Sequence, residues 1–130
     1  MILDTCFIID LIEGDKAAVQ RAKELERSNK TITLSSATVF ELFTGVIRSN
    51  KPEKEKEKVL EVTESKNVIE ADKKIMKKAG KIHGKLIKKG TRISAFDCII
   101  GATAVIEEEP ILTRNTEDFS RISEITVKEY

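Results

Sequence analysis

The chain of 130 residues has no tryptophan, one tyrosine, one histidine, two cysteines and two prolines. With His83 alone, metal-free phosphodiester chemistry by a pair of acid/base histidines is excluded. Two thiols, Cys6 and Cys98, do not make the framework of a disulfide-stapled secreted domain. They point instead to a reducing cytosol. Each stands near an acid, but hard cations do not select thiolates, so both read as small buried hydrophobes. No apolar run reaches the roughly 18 residues of a transmembrane helix, so no membrane segment is expected. The opening Met1-Ile2-Leu3-Asp4 lacks the basic region and long apolar stretch of a secretory signal, and the expected location is the cytoplasm. Neither sign of charge is in excess: 23 basic and 22 acidic residues leave a net charge of +1. That balance excludes nothing, because a neutral total can hide a basic face beside an acidic pocket.

What is present suits a single globular domain over residues 1–130. Apolar residues make up 40% of the chain, enough for one core, and charged residues 35%. Met1-Ile2-Leu3 reads as a buried strand. Phe7, Ile8, Leu11 and Ile12 follow at helical spacing, with Gly14-Asp15 as punctuation. A helix over 16–28 precedes a strand over Thr31–Leu34. Ser35 or Ser36 caps a helix carrying Val39, Leu42, Phe43 and Val46 on one face. Lys51-Pro52 breaks the chain, and the Lys/Glu stretch after it reads as a solvated helix to about Glu64. Val68-Ile69 is a minor strand. A long helix spans about 71–89 with Ile75, Ala79, Ile82 and Leu86 inward and Gly90 as its stop. Ser94 caps the most apolar helix, which ends before Pro110. Ile111–Thr113 is a strand, residues 115–120 a turn or two of helix, and Ile125–Val127 an edge strand. Short apolar strands alternating with helices define an α/β class with a mostly parallel sheet.

Such sheets bind ligands beyond the carboxyl ends of their strands. Asp4 ends the first strand, Asp118 lies just past the Ile111–Thr113 strand, and Asp97 opens the helix feeding that strand. Glu41 reaches the same edge from the helix after the second strand. Each acid alone has an ordinary explanation. Asp4 caps a helix, Ser94-x-x-Asp97 and Asn115-x-x-Asp118 look like capping boxes, and Glu41 pairs with Arg48. Capping, however, predicts no convergence on one edge. Glu41 lies between Phe40 and Leu42, and Asp97 precedes Cys98-Ile99-Ile100, so both border apolar surface where an unpaired carboxylate is costly. Carboxylates gathered at one point bind a hard divalent cation, Mg²⁺ or Mn²⁺, which can activate water against a phosphodiester. The residues therefore point to a metal-dependent nuclease.

Four segments carry a further resemblance: Ile2-Leu3-Asp4-Thr5-Cys6-Phe7-Ile8-Ile9-Asp10, then Glu41-Leu42 with Gly45, then Asp97-Cys98-Ile99-Ile100-Gly101-Ala102, then Leu112-Thr113-Arg114-Asn115 with Asp118-Phe119. In this order and at this length they resemble the PIN-domain ribonucleases, especially the VapC-type toxins of prokaryotic toxin–antitoxin pairs. The resemblance implies a three-layer fold, with a sheet of four or five strands flanked by helices, and Mg²⁺- or Mn²⁺-dependent endoribonuclease activity on single-stranded or structured RNA. It also implies a small antitoxin partner and a homodimer. On that basis Asp4 and Asp97 hold the main ion. Glu41 and Asp118 hold a second ion or orient the attacking water, and Asn115 is an alternative to Asp118. Thr5 and Asn115 fix carboxylate orientation. Cleavage would leave a 5′-phosphate and a 3′-hydroxyl. The alternatives are the same chemistry in RNA processing without an antitoxin, and an inactive RNA-binding or scaffold domain.

Basic residues offer candidate RNA contacts: Arg114 near the acids, and a stripe on the long helix that includes Lys74, Lys78, Lys81 and Lys85. A solvated face is the plainer meaning of that stripe. His83, beside Ile82 and Leu86, reads as a packed or interfacial side chain. Gly45 and Gly101 read as points of close helix packing. Apolar residues of the first helices, with Phe40 and Phe43, read either as core or as a groove for an antitoxin helix.

Overall fold

The computed structural model describes all 130 residues. Five short strands, β1 (Ile2–Leu3), β2 (Thr33–Ser35), β3 (Asn67–Ile69), β4 (Ile111–Leu112) and β5 (Val127–Lys128), form one sheet in the order β3-β2-β1-β4-β5. Every pairing is parallel. Seven helices connect and cover it: α1 (Thr5–Ile12), α2 (Lys16–Arg27), α3 (Ser36–Arg48), α4 (Pro52–Ser65), α5 (Lys73–Lys88), α6 (Ala95–Glu107) and α7 (Thr116–Ser120). The chain builds β1, β2 and β3 outward in one direction, then returns to add β4 and β5 on the other side of β1. The order therefore reverses between β1 and β4, the place where open parallel sheets hold ligands.

Alternation along the central strands makes three layers. Ile2 and Ile111 face a core shared with Ile75, Ala79, Ile82 and Leu86 of α5, Ile100, Ala102 and Ala104 of α6, and Phe119 of α7. Leu3, Leu34 and Leu112 face the opposite core, with Phe7 and Ile8 of α1, Leu25 of α2, Leu42 and Val46 of α3 and Val59 of α4. Both faces are covered, which explains why the strands read as plain apolar runs. No helix is long and apolar enough to cross a membrane.

Local chemistry sets the helix ends. Asp4, Asp15, Ser35, Asp72 and Ser94 each accept a first-turn backbone N–H. Pro52 occupies the first turn of α4, where a missing N–H costs nothing. Gly14 and Gly90 take left-handed backbone just beyond α1 and α5. The strands differ from the expected bounds by one or two residues. β2 begins at Thr33, not Thr31, and β5 is Val127–Lys128, because ladder pairing with β1 and β4 sets these limits. Gly101 is the close approach expected of it: a Cβ there would stand 2.5 Å from Ile122 Cδ1. Gly45 is not, since its Cα faces open space.

Candidate active site

Asp4 leaves the end of β1 at the reversal of strand order and is only 4% exposed. Its burial is compensated by donors. Thr5 N–H reaches Oδ1 at 2.7 Å, and Thr113 Oγ1, from the residue after β4, donates to Oδ2 at 2.7 Å. Cys6 Sγ also donates to Oδ2, at 3.0 Å. Asp4 thus caps α1, as its plain reading has it, and is also held rigidly at the sheet edge.

Glu41 lies in the second turn of α3, half-buried, and accepts from Thr5 Oγ1 at 2.8 Å. Thr5 Oγ1 also lies 3.1 Å from Thr38 Oγ1, whose hydroxyl can donate to it, so Thr5 links α1 to α3. Arg48 is not its partner. Burial pushes the Glu41 carboxyl above its ordinary range; the Thr5 hydrogen bond opposes this and the charge on Asp4 adds to it. Asp97, in the first turn of α6, has its N–H capped by Ser94 Oγ at 3.0 Å. Its carboxyl is pushed up to about 6, by burial first and then by the negative field of Asp4, with smaller contributions from Glu41 and Asp118. The other three acids therefore all act on the Asp97 carboxyl.

Asp118, on α7, accepts from Asn115 Nδ2 at 3.0 Å and from Arg121 Nη1 at 3.2 Å. Asn115 orients Asp118 and does not cap α7 with its side chain. In this conformation no three His, Cys, Asp or Glu side chains stand close enough to grip a single ion. Like charges repel, which opposes closure to ligation range. The donor set nevertheless suits a hard divalent cation: it is all carboxylate oxygen, and the raised proton affinity of Glu41 and Asp97 is a cost that a cation removes.

Several residues outside the sequence reading belong to this region. Thr113 is the end of an apolar triplet, and only its place at a strand terminus marks it. Arg121 compensates Asp118. Cys6 is half-buried and not inert packing: it donates to Asp4 and lies 3.5 Å from Thr113 Oγ1. Cys98 is buried as expected, its thiol pushed up to about 11 by burial and by Asp97.

The basic candidates sit elsewhere. Arg114 pairs with Asp10 at 3.3 Å and Asp15 at 3.2 Å, and lies over the Tyr130 ring. Its charge is neutralised locally, not turned to the acids. Lys78 pairs with Glu124 at 2.7 Å. Lys81 and Lys85 share with it a shallow recess beside Arg121 and Glu124, and Lys74 falls on the same flank of α5 by helical spacing. A cavity of about 300 Å³ opens between α1, α3 and α4, lined by Ile9, Ile12, Leu42, Val46 and Val59 together with Glu13, Glu41, Ser49 and Glu55. Phe40 and Phe43 do not line it. Phe43 packs into the core, and Phe40 stacks on Phe96 at 4.8 Å on another side of α3.

The PIN domain family model matches residues 1–125, so the chain belongs to the PIN domain family. The chain is 27% identical over 128 residues to ribonuclease VapC2 of Rickettsia felis, covering 98% of this chain and 96% of that one. It is equally similar, 27% over 128 residues with the same coverage, to the tRNA(fMet)-specific endonuclease VapC of Shigella flexneri. Its fold matches a chain of VapBC2 from Rickettsia felis bound to a DNA fragment from their promoter, with a TM-score of 0.89, 25% identity, and coverage of 99% of this chain and 97% of that one.

Proposed function

We propose that this chain is a metal-dependent endoribonuclease and the toxin of a toxin–antitoxin pair. The observation that carries the reading is the field at Asp97 of α6: Asp4 just after β1, Glu41 of α3 and Asp118 of α7 all act on its carboxyl. Membership of the PIN domain family and likeness to VapC ribonucleases support it.

In this reading Asp4 and Asp97 hold a Mg²⁺ or Mn²⁺ ion, and Glu41 and Asp118 border it. When bound, the ion supplies positive charge against the phosphodiester and lowers the pKa of nearby water. Asp4 contributes a rigid carboxylate, because Thr5 N–H and Thr113 fix both of its oxygens. Glu41, steadied by Thr5 and held above its ordinary pKa, accepts a proton from the attacking water. Asp118, already shared with Asn115 and Arg121, orients water and is a weaker ligand. Water would attack in line as the P–O3′ bond breaks, with the departing 3′ oxygen taking a proton from solvent, so no 2′-hydroxyl chemistry is needed and the products carry a 5′-phosphate and a 3′-hydroxyl. The groove of Ile9, Ile12, Leu42, Val46 and Val59 accepts an apolar antitoxin segment, and Glu41 in its lining lets the same partner block the site. Phe40, 60% exposed, and Ile47, 80% exposed, leave apolar surface suited to a homodimer.

The test is cleavage of single-stranded RNA with Mg²⁺, Mn²⁺ or excess chelator. Asp4→Asn and Asp97→Asn should abolish cleavage with the fold intact. Full activity in either variant, or in chelator, refutes the metal mechanism. Expression of the chain alone should arrest growth, and co-expression of a neighbouring small gene should relieve it. Cleavage without arrest would instead favour RNA processing without an antitoxin.

A further inference from the structure

The acids Asp97 and Asp118 form one wall of a recess of about 410 Å³ whose other walls come from the end of α5 and the loop into α6. There His83, Ile87, Thr91 and Arg92 meet the carboxylates. Arg92 is exposed, and its guanidinium makes no ion pair or hydrogen bond; Arg27 and Arg48 are likewise unpaired but do not line this recess, whereas Arg21, Arg114 and Arg121 pair with carboxylates. Although it shares a recess with two acids, it stands beyond ion-pair distance of both. His83, the only histidine, is half-buried with no hydrogen-bond partner. Ile87 is 61% exposed, an apolar side chain left uncovered at the rim.

These features suit a nucleic-acid strand crossing from the acids toward the helix end. A cation-holding acidic wall takes the phosphate under attack, and a free guanidinium set back from it takes a neighbouring phosphate. In the same recess, a histidine ring and an uncovered aliphatic side chain offer the flat apolar contact that an unstacked base seeks. The lysine stripe does not serve here. Lys78, Lys81 and Lys85 line a different recess, against Arg121 and Glu124, and helical spacing puts them on the flank of α5 away from His83 and Ile87.

We infer that this recess is an RNA-backbone subsite: Arg92 binds the phosphate next to the cleaved bond, and His83 with Ile87 packs against its nucleoside. The inference deepens the nuclease reading and rests on it for the direction of the strand.

Fluorescence anisotropy of a short fluorescein-labelled single-stranded RNA, in calcium to block turnover, reads binding directly. Arg92→Glu should weaken binding about tenfold and lower the salt slope by about 0.7, as loss of one phosphate contact requires. Arg92→Lys should keep most of the affinity. His83→Ala should cost about fivefold with the salt slope unchanged, the signature of lost stacking. In cleavage assays with Mn²⁺, the Arg92→Glu loss should fall on KM, with kcat within about twofold. A methylphosphonate in place of the neighbouring phosphate should reproduce that loss in the parent and add nothing in Arg92→Glu. Additive losses, or unchanged affinity and salt slope in a folded Arg92→Glu protein, overturn the subsite, and parent cleavage would still uphold the nuclease reading. A parent that binds RNA through Arg92 and cuts none upholds the subsite while removing the nuclease reading.

Discussion

Thr113 donates its hydroxyl hydrogen to Asp4 across the joint between β1 and β4, Oγ1 to Oδ2, at 2.7 Å. Both side chains are buried, and both residues immediately follow a central strand. The pair ties the reversal point of the sheet to the deepest acid of the candidate site. Thr113→Val keeps the shape and removes the donor. It should lower kcat/KM about tenfold, the usual cost of losing a group that orients a ligand. It should also destabilise the fold by about 2 kcal/mol, because a buried carboxylate loses a partner. Thr113→Ser should restore most of both. Parent-level kcat/KM in a folded Thr113→Val protein would show that the bond is structural only.

Thr5 plays the matching part for Glu41. Its backbone N–H holds Asp4 and its hydroxyl holds Glu41 at 2.8 Å, so one residue fixes the spacing of two acids. Thr5→Val preserves the first contact and deletes the second. Cleavage should fall about tenfold while metal-induced stabilisation changes little, since Asp4 and Asp97 are untouched. Thr5→Ser should be near the parent. Equal loss of metal-induced stabilisation would mean that Glu41 is a principal ligand.

The α/β class and the helix ends were legible because they follow from local rules: apolar triplets, capping serines and aspartates, Gly14 and Gly90. That Asp4, Asp97 and Asp118 fall on one edge follows from strand ends alone, and in the structure the charges of Asp4 and Asp118 both act on Asp97. The hydrogen bonds that orient these acids were not legible. Thr113 meets Asp4 across a separation of 109 residues, and nothing in a threonine after two aliphatics announces it. The partners of Arg114 were not legible either. Its neighbours in sequence are site residues, but its partners Asp10 and Asp15 arrive from α1 and the turn beyond it. Gly45 lies on the solvent side of α3, a difference of one helical step from the buried Leu42 and Val46.

Arg114 and Tyr130 make a clasp on α1. Tyr130 OH donates to Asp10 Oδ2 at 2.6 Å, its ring packs edge-on to Phe7 at 4.8 Å, and Arg114 covers it at 5.1 Å. Tyr130→Phe should destabilise the fold by about 1 kcal/mol through the lost hydrogen bond. Arg114→Gln should lower Tm slightly and leave the KM for RNA unchanged. A several-fold rise in KM with Tm unchanged would return Arg114 to the substrate.

The carboxyl of Asp97 gives the site a pH signature. Its folded-state value, about 6, lies above the ordinary 3.8 because burial and the other acids disfavour its charge. A group raised in this way contributes stability that is full below the unfolded value and lost as pH rises through the folded value. Glu41, also raised, acts with the same sign. In metal-free protein, the Tm of the parent minus that of Asp97→Asn should therefore fall as pH rises from about 4 to above 6. Adding Mn²⁺ favours the ionised carboxylates, so its stabilisation of the parent should grow over the same window and be small in Asp97→Asn. Cleavage should rise with it. A Tm difference that is flat across this range would mean that the Asp97 carboxyl is not raised in the folded protein.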